Sequence, residues 1–268
     1  MMTMKYSTLI FCLLCSTAIA SKRDTIYIYA DNGVSPESLT QTLHTTTALL
    51  GKQYHVTTLN ADAVIHGNWR NHAALFIMPG GADIPYDKAL HGQGNQHIKA
   101  FVTEGGAYLG ICAGGYYGSQ TVLFAPGTPL EVKGTRELAF YPNTASGPAL
   151  APYDYKSNKG ARAARLLLPN SRFATVYYNG GGQFSANPMP KKSTVIARYR
   201  DLPQQPPAII MMKVGKGVAI LSGVHFEYDH NLLNSDDRYL ATIIPNLKQH
   251  ELERQQLLKS IFNRLQLI

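Results

Sequence analysis

Short apolar runs separated by glycine- and proline-rich turns organise the first half of the chain. Residues 25–30 (TIYIYA) are β-branched and aromatic and predict a first strand. A turn follows, in which Ser35 can cap a helix with Pro36 at its first position, running to about Leu50 before Gly51. Residues 54–59 predict a second strand. Residues 73–78 (AALFIM) are almost wholly apolar, as a strand buried on both faces should be, and end in Pro79-Gly80-Gly81. Residues 96–104 predict a helix stopped by Gly105-Gly106, and 107–111 a further buried strand running into Cys112. This alternation predicts a parallel sheet with helices on both faces.

The second half is patterned differently. Residues 138–141, 173–178, 194–199 and 208–214 read as strands with little helix between them. Gly215-Lys216-Gly217 predicts a hairpin turn into an apolar strand over 218–222. From Asp236 the pattern is helical to the end, and these helices either pack over a sheet edge or make a homodimer contact. The Pro/Gly/Ala-rich stretch 142–152 is expected to be a long surface loop.

A chain of 268 residues with 45% hydrophobic and 16% charged positions can bury a sizeable core, which excludes a disordered tail or a coiled coil. The net charge of +8 is spread along the chain, which suits solubility. Nothing resembles a nucleic-acid-binding module, and no later stretch is long and apolar enough to span a membrane. Residues 1–20 read as an export signal: Lys5 precedes a charge-free apolar stretch, and Ala18-Ile19-Ala20 forms a cleavage pattern. The expected mature protein is residues 21–268, one domain, periplasmic or secreted. Of the three cysteines, Cys12 and Cys15 leave with the signal, so Cys112 has no disulfide partner within the mature chain.

Candidate chemistry centres on Gly110-Ile111-Cys112-Ala113-Gly114. A G-x-nucleophile-x-G turn between a buried strand and a helix strains the central residue and lifts its side chain above the sheet. The start of the following helix favours a thiolate, and the Ala113 amide is placed toward a developing oxyanion. His225 is the candidate base, just past the strand 218–222, and Glu227 two residues on is its orienter. Gly80 and Gly81 end a strand on the same expected edge and can bring backbone N–H groups to the oxyanion. Asn179 and Gly180, after Tyr177-Tyr178, can line the pocket mouth. His44, His55, His66 and His91 lack such a context and are taken as surface or satisfied residues. No P-loop, dinucleotide fingerprint or metal-ligand spacing is present, so neither cofactor nor metal is expected.

Taken in order, residues 76–81 (FIMPGG), 110–117 (GICAGGYY), 178–182 (YNGGG) and 222–227 (SGVHFE) resemble the class I glutamine amidotransferase superfamily. They look most like its branch named for the N-terminal domain of biotin–protein ligase, over roughly residues 25–229. The resemblance implies a flavodoxin-like three-layer α/β fold with a mostly parallel central sheet, with extra strands in the second half and C-terminal helices. It implies Cys112 as nucleophile, His225 as base, Glu227 as orienter, and Gly80 or Gly81 with Ala113 as oxyanion donors. Glutamine-using members carry Gln where this chain has Tyr116, which separates the elbow from glutamine itself. Nothing in the sequence resembles the ligase's catalytic domain, so biotin attachment is not implied. The expected activity is hydrolysis or transfer of a small-molecule or peptide-like amide. The alternatives are a catalytically silent binding module, with Tyr116, Tyr117, Tyr177 and Tyr178 around a ligand, and a redox sensor using the lone thiol.

Overall fold

The computed structural model describes residues 23–150, 152–186 and 188–268, and the expected export signal lies outside them. The first half builds β1 (Thr25–Tyr29), α1 (Pro36–Leu50), β2 (His55–Leu59), α2 (Ala61–His66), β3 (Ala73–Met78), α3 (Asp83–Leu90), α4 (Gln93–Thr103) and β4 (Ala107–Ile111). Then come α5 (Ala113–Tyr117), β5 (Ser119–Phe124), β6 (Val132–Thr135), β7 (Tyr141–Gly147), β8 (Arg162–Leu167) and β9 (Phe173–Tyr178). The chain continues through β10 (Gln183–Phe184), β11 (Ser193–Tyr199), β12 (Pro207–Val214) and β13 (Gly217–Ser222), and ends in α6 (Leu240–Gln249) and α7 (Glu251–Arg264).

Nine strands form the main sheet in the order β2-β1-β3-β4-β13-β12-β11-β8-β9. The first five are mutually parallel. Their order is that of a flavodoxin-like sheet, in which ligands bind beyond the carboxyl ends of the strands. From β12 outward the pairing is antiparallel. Successive side chains of a strand face opposite ways, so each central strand feeds two cores. Ile26, Ile28, Leu75, Ile77 and Leu109 pack on one face with Leu257, Leu258, Ile261 and Phe262 of α7. Tyr29, Phe76, Met78 and Tyr108 pack on the other with Val64, Tyr86, Ile98 and Phe101 of α2, α3 and α4. This is the three-layer α/β arrangement that the strand and helix alternation implies.

The C-terminal helices pack on the sheet, with α7 against β9 and α6 against β8 and β9. The loop expected over 142–152 is corrected: Tyr141–Gly147 is a strand, β7, in a second, four-stranded sheet ordered β10-β7-β5-β6. β7 runs parallel to β5, and Pro142 falls where the register shifts, a position that tolerates a missing N–H. The strand expected at 138–141 correspondingly begins only at Tyr141. Among the described residues no helix is long and apolar enough to cross a membrane.

Candidate active site

β4 ends in an abrupt turn at Cys112, which has φ 52° and ψ −106°. A non-glycine residue there is strained by about 1–3 kcal/mol, so its neighbours must hold it. Cys112 N–H donates to the Ser222 carbonyl at 2.8 Å, tying the elbow to the end of β13. The flanking glycines are required by close packing. A Cβ on Gly110 would lie 2.2 Å from the Gly114 carbonyl oxygen, and one on Gly114 would lie 2.0 Å from that of Met78. The helix behind the elbow, α5, has only five residues and a correspondingly small dipole. The charge facing the sulfur therefore comes chiefly from His225.

His225 is 3% exposed, and its Nδ1 lies 2.8 Å from Oε1 of Glu227, itself 2% exposed. Its N–H donates to the Tyr177 carbonyl of β9 at 2.8 Å. Its ring meets Tyr177 and Tyr228, centroids 5.6 and 4.4 Å away, while those two tyrosines stack on each other at 4.5 Å. Cys112 and the ring meet over Gly80, where an added Cβ would lie 2.8 Å from the ring Cε1 and 3.4 Å from the Cys112 Cβ. Burial opposes charge on the imidazole, but the Glu227 carboxylate and then Cys112 outweigh it and push its pKa up to about 10. The imidazole therefore stands as imidazolium at neutral pH. The Cys112 sulfur lies 3.7 Å from the Asn179 carbonyl oxygen. His44, His66 and His91 lie exposed on the surface.

Two helices clamp the loop that carries the pair. On α1, Thr45 Oγ1 donates to the Glu227 carbonyl at 2.6 Å. Gln41 both donates to the Asp229 carbonyl and accepts from the Asp229 N–H. On α7, buried Arg254 donates to the Phe226 carbonyl at 2.8 Å and holds Glu251 through two further bonds. Arg254→Ala is expected to cost about 2–3 kcal/mol, because it orphans a buried carbonyl and an acidic partner together; a lowered urea midpoint is the readout. Sequence reasoning missed these residues, yet Ser38, Gln41, Thr42 and Thr45 repeat at helical spacing and are all buried. A polar stripe on a helix that packs on a sheet was the available signal.

The two expected oxyanion glycines differ. Gly80 N–H donates to Ser38 Oγ at 2.8 Å and is not available. Among the described residues no hydrogen bond engages the N–H of Gly81 or of Ala113. Both residues, with Cys112, line a pocket of about 480 Å³ at the carboxyl ends of β3, β4 and β13. Tyr116, Tyr177, Asn179, Gly180, His225 and Tyr228 line it as well. Tyr117 and Tyr178 do not: Tyr117 turns toward Asn95, and Tyr178 donates to the Gly181 carbonyl. Phe124, Tyr153 and Tyr155 add to the aromatic wall.

Tyr116 explains the glycine run after Asn179. Its hydroxyl donates to the Gly180 carbonyl at 3.3 Å, and a Cβ on Gly182 would stand 2.8 Å from its ring. The phenol thus fills the space beside the elbow and forms part of the pocket floor. Among the described residues no group of three or more His, Cys, Asp or Glu side chains is placed to hold a metal ion.

Comparison with known proteins agrees with this architecture. The family described as biotin-protein ligase, N terminal, matches residues 24–268. Biotin–protein ligase of Schizosaccharomyces pombe (strain 972 / ATCC 24843) is 36% identical over 209 residues, covering 76% of this chain; the match spans only 33% of the ligase. An uncharacterized protein of Chlamydia muridarum (strain MoPn / Nigg) is 40% identical over 209 residues, covering 76% of this chain and 80% of that one. Among solved structures, a glutamine amidotransferase superposes with a TM-score of 0.50 at 17% identity, covering 76% of this chain and 90% of that chain, a likeness of fold. With its elbow, its flavodoxin-like strand order and a family match running through the C-terminal helices, the chain belongs to the biotin–protein ligase N-terminal family, on a glutamine amidotransferase-like fold.

Proposed function

We propose that the chain is an exported, thiol-dependent amide hydrolase or acyl-transfer enzyme, with Cys112 as nucleophile, His225 as acid–base and Glu227 as its orienting partner. The observation that carries this reading is one pocket lined by a strained cysteine, by the imidazole of the buried His225–Glu227 pair and by two unbonded backbone amides. These are the parts that acyl transfer requires. The Cys112 thiolate attacks the amide carbonyl carbon, and a C–S bond forms. Negative charge on the oxygen is received by the N–H groups of Ala113 and Gly81. His225 passes its proton to the leaving nitrogen as the C–N bond breaks, which leaves a thioester. Water, giving its proton to His225, then attacks the thioester, releases the acid and restores the thiolate–imidazolium pair. Export is supported by the charged, apolar and small-residue pattern of residues 1–20.

Iodoacetamide alkylation of Cys112 at pH 6 tests the nucleophile. The parent is expected to react at least about tenfold faster than His225→Ala, which keeps the thiol and loses its partner. Equal rates would count against the reading. The aromatic lining favours a second reading, a binding module that keeps the elbow as architecture. It requires that Cys112→Ala retain both ligand affinity and biological effect, whereas the enzyme reading requires loss of turnover.

A further inference from the structure

We infer that Glu37 is the specificity-determining anchor for a positively charged amine on the substrate, an assignment that rests on the amide-cleaving reading above. Glu37 stands in the first turn of α1 and lines the same pocket as Cys112 and His225. Among the described residues no hydrogen bond or ion pair engages its carboxylate. Burial raises its pKa, His225 works against that, and Asp237 adds to it. A half-buried carboxylate with no bonded partner gains most from a ligand that brings a cation or a strong donor.

The rest of the lining points the same way. Among the described residues no lysine or arginine lines the pocket, whereas Asp83 and Glu131 do, Asp83 being neutralised from behind by Arg136 at 2.8 Å. The stacked rings of Tyr177 and Tyr228 stand near Glu37, and aromatic faces attract cations. A carboxylate-bearing acyl group has no cationic side chain to meet here except His225 itself. Lys156 and Lys159 line only an adjoining recess that shares Leu130, Tyr153 and Tyr155 with the pocket.

The pocket also has apolar lining that reaches solvent: Ile84, Leu130 and Tyr155 line it and are 41%, 39% and 65% exposed. A volume of about 480 Å³ falls in the range of sites for drug-sized ligands. The substrate class that fits is an aminoacyl amide: a free ammonium beside the scissile carbonyl, held by Glu37, with apolar groups carried outward over the rim.

Charge-selective thiol reagents test the anchor without requiring turnover. The full chain is treated with cationic 2-aminoethyl, anionic 2-sulfonatoethyl and neutral methyl methanethiosulfonate, and modification of the Cys112 peptide is followed by mass spectrometry. Relative to a small-molecule thiol, the cationic-to-anionic rate ratio is expected to be at least tenfold. Glu37→Gln should reduce it severalfold. Asp62→Asn, the same charge loss on exposed α2, should leave it as in the parent. A ratio near one, or one that Glu37→Gln does not move, would overturn the assignment. A second arm compares aminoacyl coumarylamides having a free amine with their N-acetyl forms. Preference for the free amine that disappears in Glu37→Gln supports the anchor, and equal turnover of both forms overturns it. If neither is cleaved while the reagent ratio stays high, the anchor stands and the hydrolase reading falls.

Discussion

Gly223→Ala is expected to melt at least about 6 °C below the parent. The residue sits where the segment leaving β13 crosses the one leaving β9. A Cβ on Gly223 would stand 1.7 Å from the Gly182 carbonyl oxygen, and one on Gly181 would stand 1.8 Å from that of Gly223. The obstacle on each side is main chain, so no side-chain rotation relieves it. The crossing is further pinned by Tyr199, whose hydroxyl donates to the Gly182 carbonyl at 2.7 Å and the Gly223 carbonyl at 3.1 Å. Forcing a methyl into such a contact costs about 3 kcal/mol or more, and 1 kcal/mol moves the Tm of a chain this size by roughly 2–4 °C. Gly92→Ala is the comparison. Unlike Gly223 it has a positive φ, +70°, but nothing lies within 4 Å of its Cβ position, so only the backbone cost of about 1–2 kcal/mol applies. Differential scanning fluorimetry of the two variants checks this, and equal melting temperatures would refute the role of the crossing.

Glu227→Gln is expected to lower alkylation of Cys112 at pH 6 by one to two orders of magnitude. The His225 pKa stands near 10 because Glu227 and Cys112 overcome the effect of burial. Without the carboxylate, burial prevails and the imidazole loses its proton, taking with it the charge that faces the sulfur. The same shift sets a dependence of stability on pH. A folded-state pKa above the unfolded value of about 6.5 contributes stability that is complete below pH 6.5 and is lost as pH rises toward 10. The parent Tm should therefore fall between pH 7 and 10 more steeply than that of Glu227→Gln. Parallel Tm curves would show that the pair does not couple to folding.

The central parallel strands and α1 were legible because their composition and their tertiary roles agree. AALFIM suits a strand buried on both faces and forms one, and Ser35-Pro36 suits a helix start and caps one. The elbow was legible because its glycines answer a local packing demand, and His225 with Glu227 because each follows a strand end. The second sheet was hidden. Its β7 is YPNTASG, which has poor intrinsic strand character and pairs only because β5 and β10 flank it. Gly80 was read as a free donor because the competing acceptor, Ser38, lies 42 positions away in the chain. The tyrosines were read from their proximity in sequence, but adjacent residues of a strand or short helix point apart, so Tyr116 and Tyr117 serve different surroundings. Glu37 carries no signature of its own, since an acidic residue in the first turn of a helix is ordinary.

Cys112 and His225 hang from the main sheet, while Val122, Phe124, Leu130 and Val132, which line the same pocket, belong to the β5–β6 hairpin of the second sheet. The two jobs are carried by different scaffolds. Evolution can reshape the hairpin, by insertion or residue change at its 125–131 tip, without disturbing the bend that holds the sulfur. Paralogues with the same elbow and unlike hairpins would then discriminate among different compounds, and grafting a hairpin from one to another should move selectivity with it.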